Sequence, residues 1–410
     1  MSTIAPQPWM QERPTRALLD ALAKADIAAR FVGGCVRDAL LGLPIADIDL
    51  ATPARPELVA AALAAAGIKT VPTGIAHGTL TAVVPPRHFE ITTLRRDVET
   101  DGRHARVAFD ADWAADAARR DFTINAIYLD RDGTVHDPVG GQADLKARHV
   151  RFVGEPATRI AEDVLRVLRY YRFAARFGGI AGTQGGDAAA RAACRAAVPL
   201  LSQLSAERVA QELLRLLAAA DPVPVLRMMA ADGVLAAVLP EATRLDRLAR
   251  LIGLEPPWTP APEPLRRLAA LVALDRAAAI AMAERLRLAK KARDRLAGMM
   301  PPWRLDPAGD WRAQRHALYR LGAERYRDLA LLVAAEGAID EARLGEWLAL
   351  AAAWKPPRFP LAGHDVTALG IPPGPRVGRL LGAVRGWWEA GDFTADRAAC
   401  LQRLRELANP

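Results

Sequence analysis

Cysteine, aromatic residues and long apolar runs are all scarce in this chain of 410 residues. Only three cysteines occur, Cys35, Cys194 and Cys400, far apart in the sequence. There is no Cys-x-x-Cys pair and no Cys/His cluster at zinc-ligand spacing, which excludes a zinc finger or a disulfide framework and leaves reduced, buried thiols. Apolar stretches are interrupted by Arg, Asp or Pro before they reach the roughly 18 residues of a membrane span. The N-terminus, MSTIAPQPWMQERP, lacks the basic start and apolar run of a signal peptide. The expected setting is therefore the cytoplasm, with no membrane partner. Histidine is thin too: five of the seven lie at or before position 149. His364-Asp365 has only His316 for company in the later part of the chain, too few ligands for an HD-type phosphohydrolase.

What is present is apolar bulk and positive charge. Hydrophobic residues make up 51% of the chain, enough for large cores, and the length calls for two to four domains. Net charge is +8 and the pI about 9.8, a balance that suits a polyanionic partner. Periodicity divides the chain in two. Helical spacing over 15–29, 35–42 and 55–66 alternates with strand-like runs at 30–33, 45–51, 68–71, 79–84 and 88–94, which predicts a small α/β domain with a mixed sheet. The charged segment 97–118, with a turn at Gly102, reads as a mobile loop leading into a helix. A turn at Asp130–Gly133 and a strand at 134–136 close the sheet. Past residue 155 only helical spacing remains, over 159–177, 186–197, 202–219, 221–231, 264–277, 280–299, 311–335 and 340–352. Gly- or Pro-rich linkers fall at 178–186, 256–264, 301–309 and 355–360.

Chemistry concentrates in Phe31-Val-Gly-Gly-Cys-Val-Arg-Asp38 and Asp47-Ile-Asp-Leu50. Asp47 and Asp49, two apart on a strand, point to one side. Two carboxylates among Ile45, Ile48 and Leu50 are costly unless paired or bound to metal. Backbone at Gly33 and Gly34 can approach a phosphate closely, and Arg37 one turn on can add charge; the alternative is a structural turn with a local Arg37–Asp38 ion pair. Glu90, in Phe89-Glu-Ile-Thr92, is either a third carboxylate from a neighbouring strand or a surface residue. Together these read as a nucleotidyl-transfer site holding divalent metal beside a phosphate.

Three further clusters have two readings each. In Arg119-Arg-Asp-Phe-Thr-Ile-Asn125, a helix would set Asp121 and Asn125 on one face with Arg120 beside them, to clamp a triphosphate and bond ribose hydroxyls. The alternative is a helix start capped by Thr123. In Glu162-Asp-Val-Leu-Arg166, Asp163 and Arg166 share a helix face, and Arg169, Arg172 and Arg176 continue a basic stripe. Such an Asp–Arg pair can accept C and A while refusing G and U, because C and A both show an amine beside an acceptor. The alternative is an i,i+3 salt bridge worth a few tenths of a kcal/mol. The run 284–295, including Arg285, Arg287, Lys290 and Lys291, is either a track for RNA phosphates or a solvated helix face. Trp311, Trp387 and Trp388 read as core or interface aromatics.

With these motifs the chain resembles the bacterial-type (class II) tRNA nucleotidyltransferase and poly(A) polymerase family of the polymerase-beta-like superfamily. The resemblance runs through FVGGCVRDALLG (31–42), DIDLATPARPE (47–57), FEITTLRRD (89–97), RRDFTINAIYLD (119–130) and RIAEDVLRVLRYYRFAARF (159–177). LSAERV (204–209) and GHDVTALGIPPGPRVGRLLGAVRGWWEAG (363–391) extend it. It implies an α/β nucleotidyltransferase head followed by an all-helical neck, body and tail, laid out as an N-terminal extension (1–24), head (25–150), neck (151–255), body (256–354) and tail (355–410). It implies Asp47 and Asp49 as Mg²⁺-binding catalytic carboxylates, and Gly33, Gly34, Arg37, Arg120, Asp121, Asn125 and Arg169 in nucleotide contacts. Asp163 and Arg166 become the amino-acid template for CTP and then ATP, and the 97–110 loop the element that switches between them. The implied partners are tRNA, at its acceptor arm and 3′ end, CTP and ATP, with no DNA. The implied activity is addition of C, C and A to tRNA. Poly(A) synthesis, CC addition alone and non-catalytic RNA binding stay open, as does monomer against homodimer.

Overall fold

Short β-branched runs bounded by Gly, Pro and Asp build the first part of the chain. The computed structural model describes residues 2–45, 47–74, 78–101, 104–109, 111–178 and 187–408. Strands β1 (Ser2–Thr3), β2 (Arg30–Val32), β3 (Ile48–Thr52), β4 (Lys69–Gly74), β5 (Thr79–Val84), β6 (Arg87–Thr93), β9 (Tyr128–Leu129) and β10 (Thr134–His136) form one sheet, in the order β1-β10-β9-β2-β3-β6-β5-β4. All neighbours are antiparallel except β3 and β6, so the sheet is mixed. In that parallel pair Ile48 faces Phe89, Asp49 faces Glu90 and Leu50 faces Ile91. The period-2 alternation buries the four apolar side chains, each at most 1% exposed, and puts both carboxylates on the opposite face.

Two strand expectations change. The strand expected from Ile45 starts at Ile48, so Asp47 stands just before β3 and not within it. Its antiparallel neighbour β2 ends at Val32, where the chain turns at Gly33, and nothing remains on that side to pair with residues upstream of Ile48. The segment expected as a loop is instead a hairpin of β7 (Arg95–Asp101) and β8 (His104–Phe109), a separate two-stranded sheet. A helix does follow, Trp113–Ala118, capped by Asp112. The turn expected at Gly102 and the linker over 179–186 lie outside the described residues. At the other sheet edge the Asp130–Gly133 turn closes as expected. Gly133 has φ 91°, and a Cβ there would meet the Ile4 carbonyl oxygen at 2.1 Å, so only glycine lets β1 dock.

Beyond Pro156 the described residues form helices and no strand. Several expected long helices are divided at points with a local cause. The expected 159–177 helix is two, Pro156–Glu162 and Arg166–Phe177, with Asp163 in extended conformation between them. The 280–299 stretch breaks between Arg276–Arg285 and Lys290–Gly298, where Arg287 has φ 50°. The 311–335 stretch breaks at Gly322, φ 76°, between Trp311–Leu321 and Ala323–Glu336. The chain divides into two compact units, 1–242 and 243–410. In the second, Trp388 is 2% exposed within a core of Val366, Val384, Cys400 and Leu404, whereas Trp311 and Trp387 are 44% and 38% exposed and are not core residues. All three cysteines are buried and unbridged. Among the described residues no helix is long and apolar enough to cross a membrane.

Candidate active site

The end of β2 and the start of β3 bring the glycine turn against the carboxylates. Gly33 has φ 75°, and the place its Cβ would occupy is 3.7 Å from Asp49 Oδ2 and 4.0 Å from an Arg120 guanidinium nitrogen. The turn thus presents bare backbone between one anionic and one cationic side chain. Behind it the Cys35 thiol donates to the carbonyls of Val32 (3.3 Å) and Asp49 (3.6 Å), and burial pushes its pKa up to about 12. That thiol stays neutral and packs the turn against β3.

Asp47 is exposed, Asp49 half-buried and Glu90 exposed on the neighbouring strand. Burial, then the Glu90 carboxylate, then the Asp47 carboxylate push Asp49 up to about 6, against the pull of Arg120 and Arg37. Three negative charges therefore act on one another, and among the described residues none of them has a cation in ion-pair contact. Among the described residues no group of three or more His, Cys, Asp or Glu side chains is assembled to hold a metal ion unaided. The donor set still suits Mg²⁺, a hard cation that keeps several waters and is held by one or two carboxylates together with substrate phosphate. Asp47 and Asp49 would supply such a pair, and an added cation would offset the carboxylate repulsion that, after burial, raises Asp49.

Around the turn, arginines and acids are matched one against another. Asp116, 1% exposed, takes both Arg119 and Arg120, the latter at 2.9 Å, and accepts from the Tyr128 hydroxyl at 2.7 Å. Arg120 is thus aimed by a buried carboxylate. Arg37 is 5% exposed. It donates to Asp38 (2.9 Å) and to Asn125 Oδ1 (2.6 Å), with its guanidinium 4.3 Å from the Phe177 ring centre. Burial holds its pKa below the ordinary arginine value. Asn125 Nδ2 donates to Asp121 (3.0 Å), Asp121 accepts from Arg169 (2.5 Å), and Asp38 accepts from Arg176 (3.1 Å). The Asn125 amide fits in one orientation only, oxygen toward the guanidinium and nitrogen toward the carboxylate. Burial opposes charge on Asp121, but Arg169 and Asn125 outweigh it and hold the carboxyl below its usual range. One chain of bonds, Arg176–Asp38–Arg37–Asn125–Asp121–Arg169, links the helix Gly34–Leu40, the 3₁₀ turn Thr123–Asn125 and the helix Arg166–Phe177. Asp121 and Asn125 meet across that turn and not on a helix face, and Thr123 donates to Asp144 (2.5 Å) instead of capping.

The expected helix-face pair of Asp163 and Arg166 is not present. Asp163 ends one helix in extended conformation, accepts from the Leu165 N–H (3.1 Å) and pairs with Arg208 (2.7 Å). Arg166 opens the next helix and turns back to Glu162 (2.5 Å) and the Arg159 carbonyl (2.8 Å). The basic stripe is also neutralised, since Arg169, Arg172 and Arg176 face Asp121, Glu212 and Asp38. In the second unit, Arg285, Arg287, Lys290 and Lys291 are exposed around the break between two helices, with Lys290 3.4 Å from Asp294. The sequence reading missed Asp116 and Arg208; Asp38 is the local ion-pair partner of Arg37 that the Arg-Asp run suggests (2.9 Å). The spacing of Asp116 to Arg119 and Arg120, i+3 and i+4, was a readable signal; nothing local ties Arg208 to Asp163, 45 residues away.

The segment that holds the glycine turn and the paired carboxylates lies within a stretch that matches a known family. A family model described as the poly A polymerase head domain matches residues 29–151, and one described as a probable RNA and SrmB-binding site of polymerase A matches 187–245. The zebrafish (Danio rerio) mitochondrial CCA tRNA nucleotidyltransferase 1 is 34% identical over 410 residues, covering 95% of this chain and 90% of its own length. The chain belongs to the class II tRNA nucleotidyltransferase, or CCA-adding enzyme, family. Its human relative of the same description is 32% identical over 404 residues, with 95% and 89% covered. Among solved structures, the Bacillus stearothermophilus CCA-adding enzyme in complex with CTP superposes with a TM-score of 0.75 at 29% identity, covering 97% of this chain and 98% of that one. The mixed-sheet head and the helical remainder are thus the polymerase-beta-like nucleotidyltransferase fold.

Proposed function

We propose that this chain is a template-independent tRNA nucleotidyltransferase that adds C, C and A to the 3′ end of tRNA from CTP and ATP, releasing pyrophosphate. The observation that carries the reading is the close approach of the Gly33 turn to Asp49 and Arg120, with Asp47 and Glu90 acting on the same carboxylate. Asp47 and Asp49 hold Mg²⁺, with Glu90 as a third carboxylate nearby; when bound, the metal lowers the pKa of the attacking hydroxyl and neutralises the leaving pyrophosphate. The residues of the chain do the rest. The Gly33–Gly34 backbone lets the triphosphate lie close, and Arg120, braced by Asp116 and Tyr128, meets its charge. Arg37 and Arg169 act from behind by fixing Asn125 and Asp121. Asp163 and Arg166, at the joint between two helices, choose the base, and the hairpin over 95–109 repacks between C and A. The helical segments hold the tRNA acceptor arm, in the cytoplasm.

The test is product sequencing on tRNA lacking its last three nucleotides, with CTP and ATP supplied separately and together. The expected product is CCA only when both are present. The poly A polymerase description of the matching head model favours one rival, RNA tailing with ATP. Long A-tails on generic RNA would establish that rival. Arrest after two C residues would mean CC addition alone, and RNA binding without pyrophosphate release a non-catalytic scaffold.

A further inference from the structure

A cleft in the second unit carries a charge that the transfer chemistry does not use. A cavity of about 900 Å³ lies against the helix Trp311–Leu321, walled by Trp303, Arg304, Pro307, His316 and Arg320. A smaller pocket of about 80 Å³ shares Arg304 and Leu321 with it and adds Arg276, Arg295, Arg325 and Asp328. The acids there are already committed. Asp328 pairs with Arg266 (3.0 Å) and Arg295 (2.8 Å), and Asp294 with Lys290 and Arg293, both at 3.4 Å. Asp306 accepts from the Ala308 N–H (3.0 Å), and Arg320 is held by Glu389 (2.7 Å). Arg276, Arg304 and Arg325 pair with no carboxylate or carbonyl among the described residues, and all three are exposed.

These three arginines come from separate elements: the start of the helix Arg276–Arg285, the turn after Pro302, and the first turn of the helix Ala323–Glu336. Like charges brought to one pocket repel, and an anion between them reverses the sign. Trp303 stands beside Arg304 with its indole N–H donating to the Met299 carbonyl (3.1 Å), so the ring is fixed in place as a wall of the cleft. Guanidinium groups next to a fixed aromatic face recognise a phosphate together with a base; the larger cavity, lined by Trp303 and Arg304, falls within the usual volume range for small-ligand sites, and Arg276 and Arg325 line the smaller pocket that shares Arg304 with it.

We propose that this cleft binds nucleotide phosphate through Arg276, Arg304 and Arg325, with a base against Trp303. The phosphate is supplied by an RNA backbone or by a free nucleotide; the RNA source rests on the tRNA reading above. The experiment uses the full chain and three variants: R276A/R304A/R325A, W303L, and a control, R13A/R16A/K24A, that removes the same charge from exposed positions of the first unit. Circular dichroism melting verifies that each is folded. With RNA as the source, the triple variant weakens binding of tRNA lacking CCA roughly tenfold and lowers the slope of log affinity against log salt by about 2. Its kcat at saturating tRNA is unchanged, W303L weakens binding without moving the slope, and the control does neither. With free nucleotide as the source, equilibrium dialysis with labelled CTP or pyrophosphate finds one fewer bound equivalent in the triple variant, and RNA affinity stays constant. A folded triple variant that binds RNA, CTP and pyrophosphate as the unmodified chain does, or a control that loses as much, overturns the proposal. Binding is read directly, so a chain that adds no nucleotide would sink the proposed activity and leave the cleft testable.

Discussion

The two units handle charge in opposite ways. Near the glycine turn of the first, each arginine has its acid: Arg120 has Asp116, Arg37 and Arg176 share Asp38, and Arg169 has Asp121. What is left over is negative, the trio Asp47, Asp49 and Glu90. In the second unit Glu255 and Asp328 lie almost fully buried among Arg266, Arg267 and Arg295, and what is left over is positive, at Arg276, Arg304 and Arg325. Buried networks of this kind contribute little net stability but set geometry, and removing one member is costly. The unmatched charges, by contrast, are the ones our proposals assign to something outside the chain: a cation in the first unit, an anion in the second.

That contrast can be broken first where the largest effect is expected. Removing both carboxylates in D47A/D49A should lower nucleotide incorporation by at least about a thousandfold, the scale at which losing metal chemistry acts. Folding should be intact by circular dichroism. Full activity in that variant would cancel the metal assignment. D328A should do the reverse. It strips a partner from Arg266, itself 3% exposed, and should cost about 3 kcal/mol in urea unfolding. Turnover per folded molecule should change little.

A pH test separates the two kinds of acid further. The folded Asp49 pKa of about 6 lies above the ordinary aspartate value of 3.8, so the folded state binds this proton more tightly than the unfolded state. Its charge therefore costs stability as pH rises from 3.8 toward 6, and the full cost stands at pH 7.5. Without metal, D49N should be more stable than the unmodified chain by roughly 2 kcal/mol at pH 7.5, with the gap closing by pH 4. A gap that does not depend on pH would remove the idea that crowded carboxylates await a cation. The mildest change to the site itself is G33A. Alanine at φ 75° costs of order 1–3 kcal/mol in unfolding, and its methyl, at the edge of Asp49 and Arg120, should raise KM for CTP severalfold.

Much of the head was legible in the sequence. Period-2 alternation in 48–50 and 89–93 told which residues go inward, and the Gly33-Gly34 and Asp47/Asp49 motifs told where the candidate site lies. Local pattern also predicted the change to helices after residue 155. It failed where tertiary partners override it. Asp163 and Arg166 have helical spacing, yet Arg208 from a distant helix and Glu162 next door claim them separately. Arg169 reads as open charge, yet Asp121 claims it, and Arg37 gains beside its local Asp38 a distant partner, the buried Asn125. The 97–110 stretch has loop composition, and its pairing as a hairpin is a matter of two strands finding each other.

Sequence alone therefore determined the change from a mixed-sheet region to a helical one, the inward faces of the central strands and the list of chemically able side chains, because these depend on local periodicity and residue type. Which charges are cancelled and which stand unmatched was decided by the tertiary structure. Pairing across 45 or 88 residues, as in Asp163–Arg208 and Arg37–Asn125, leaves no local trace; it arises when burial makes an unpaired charge too costly to keep.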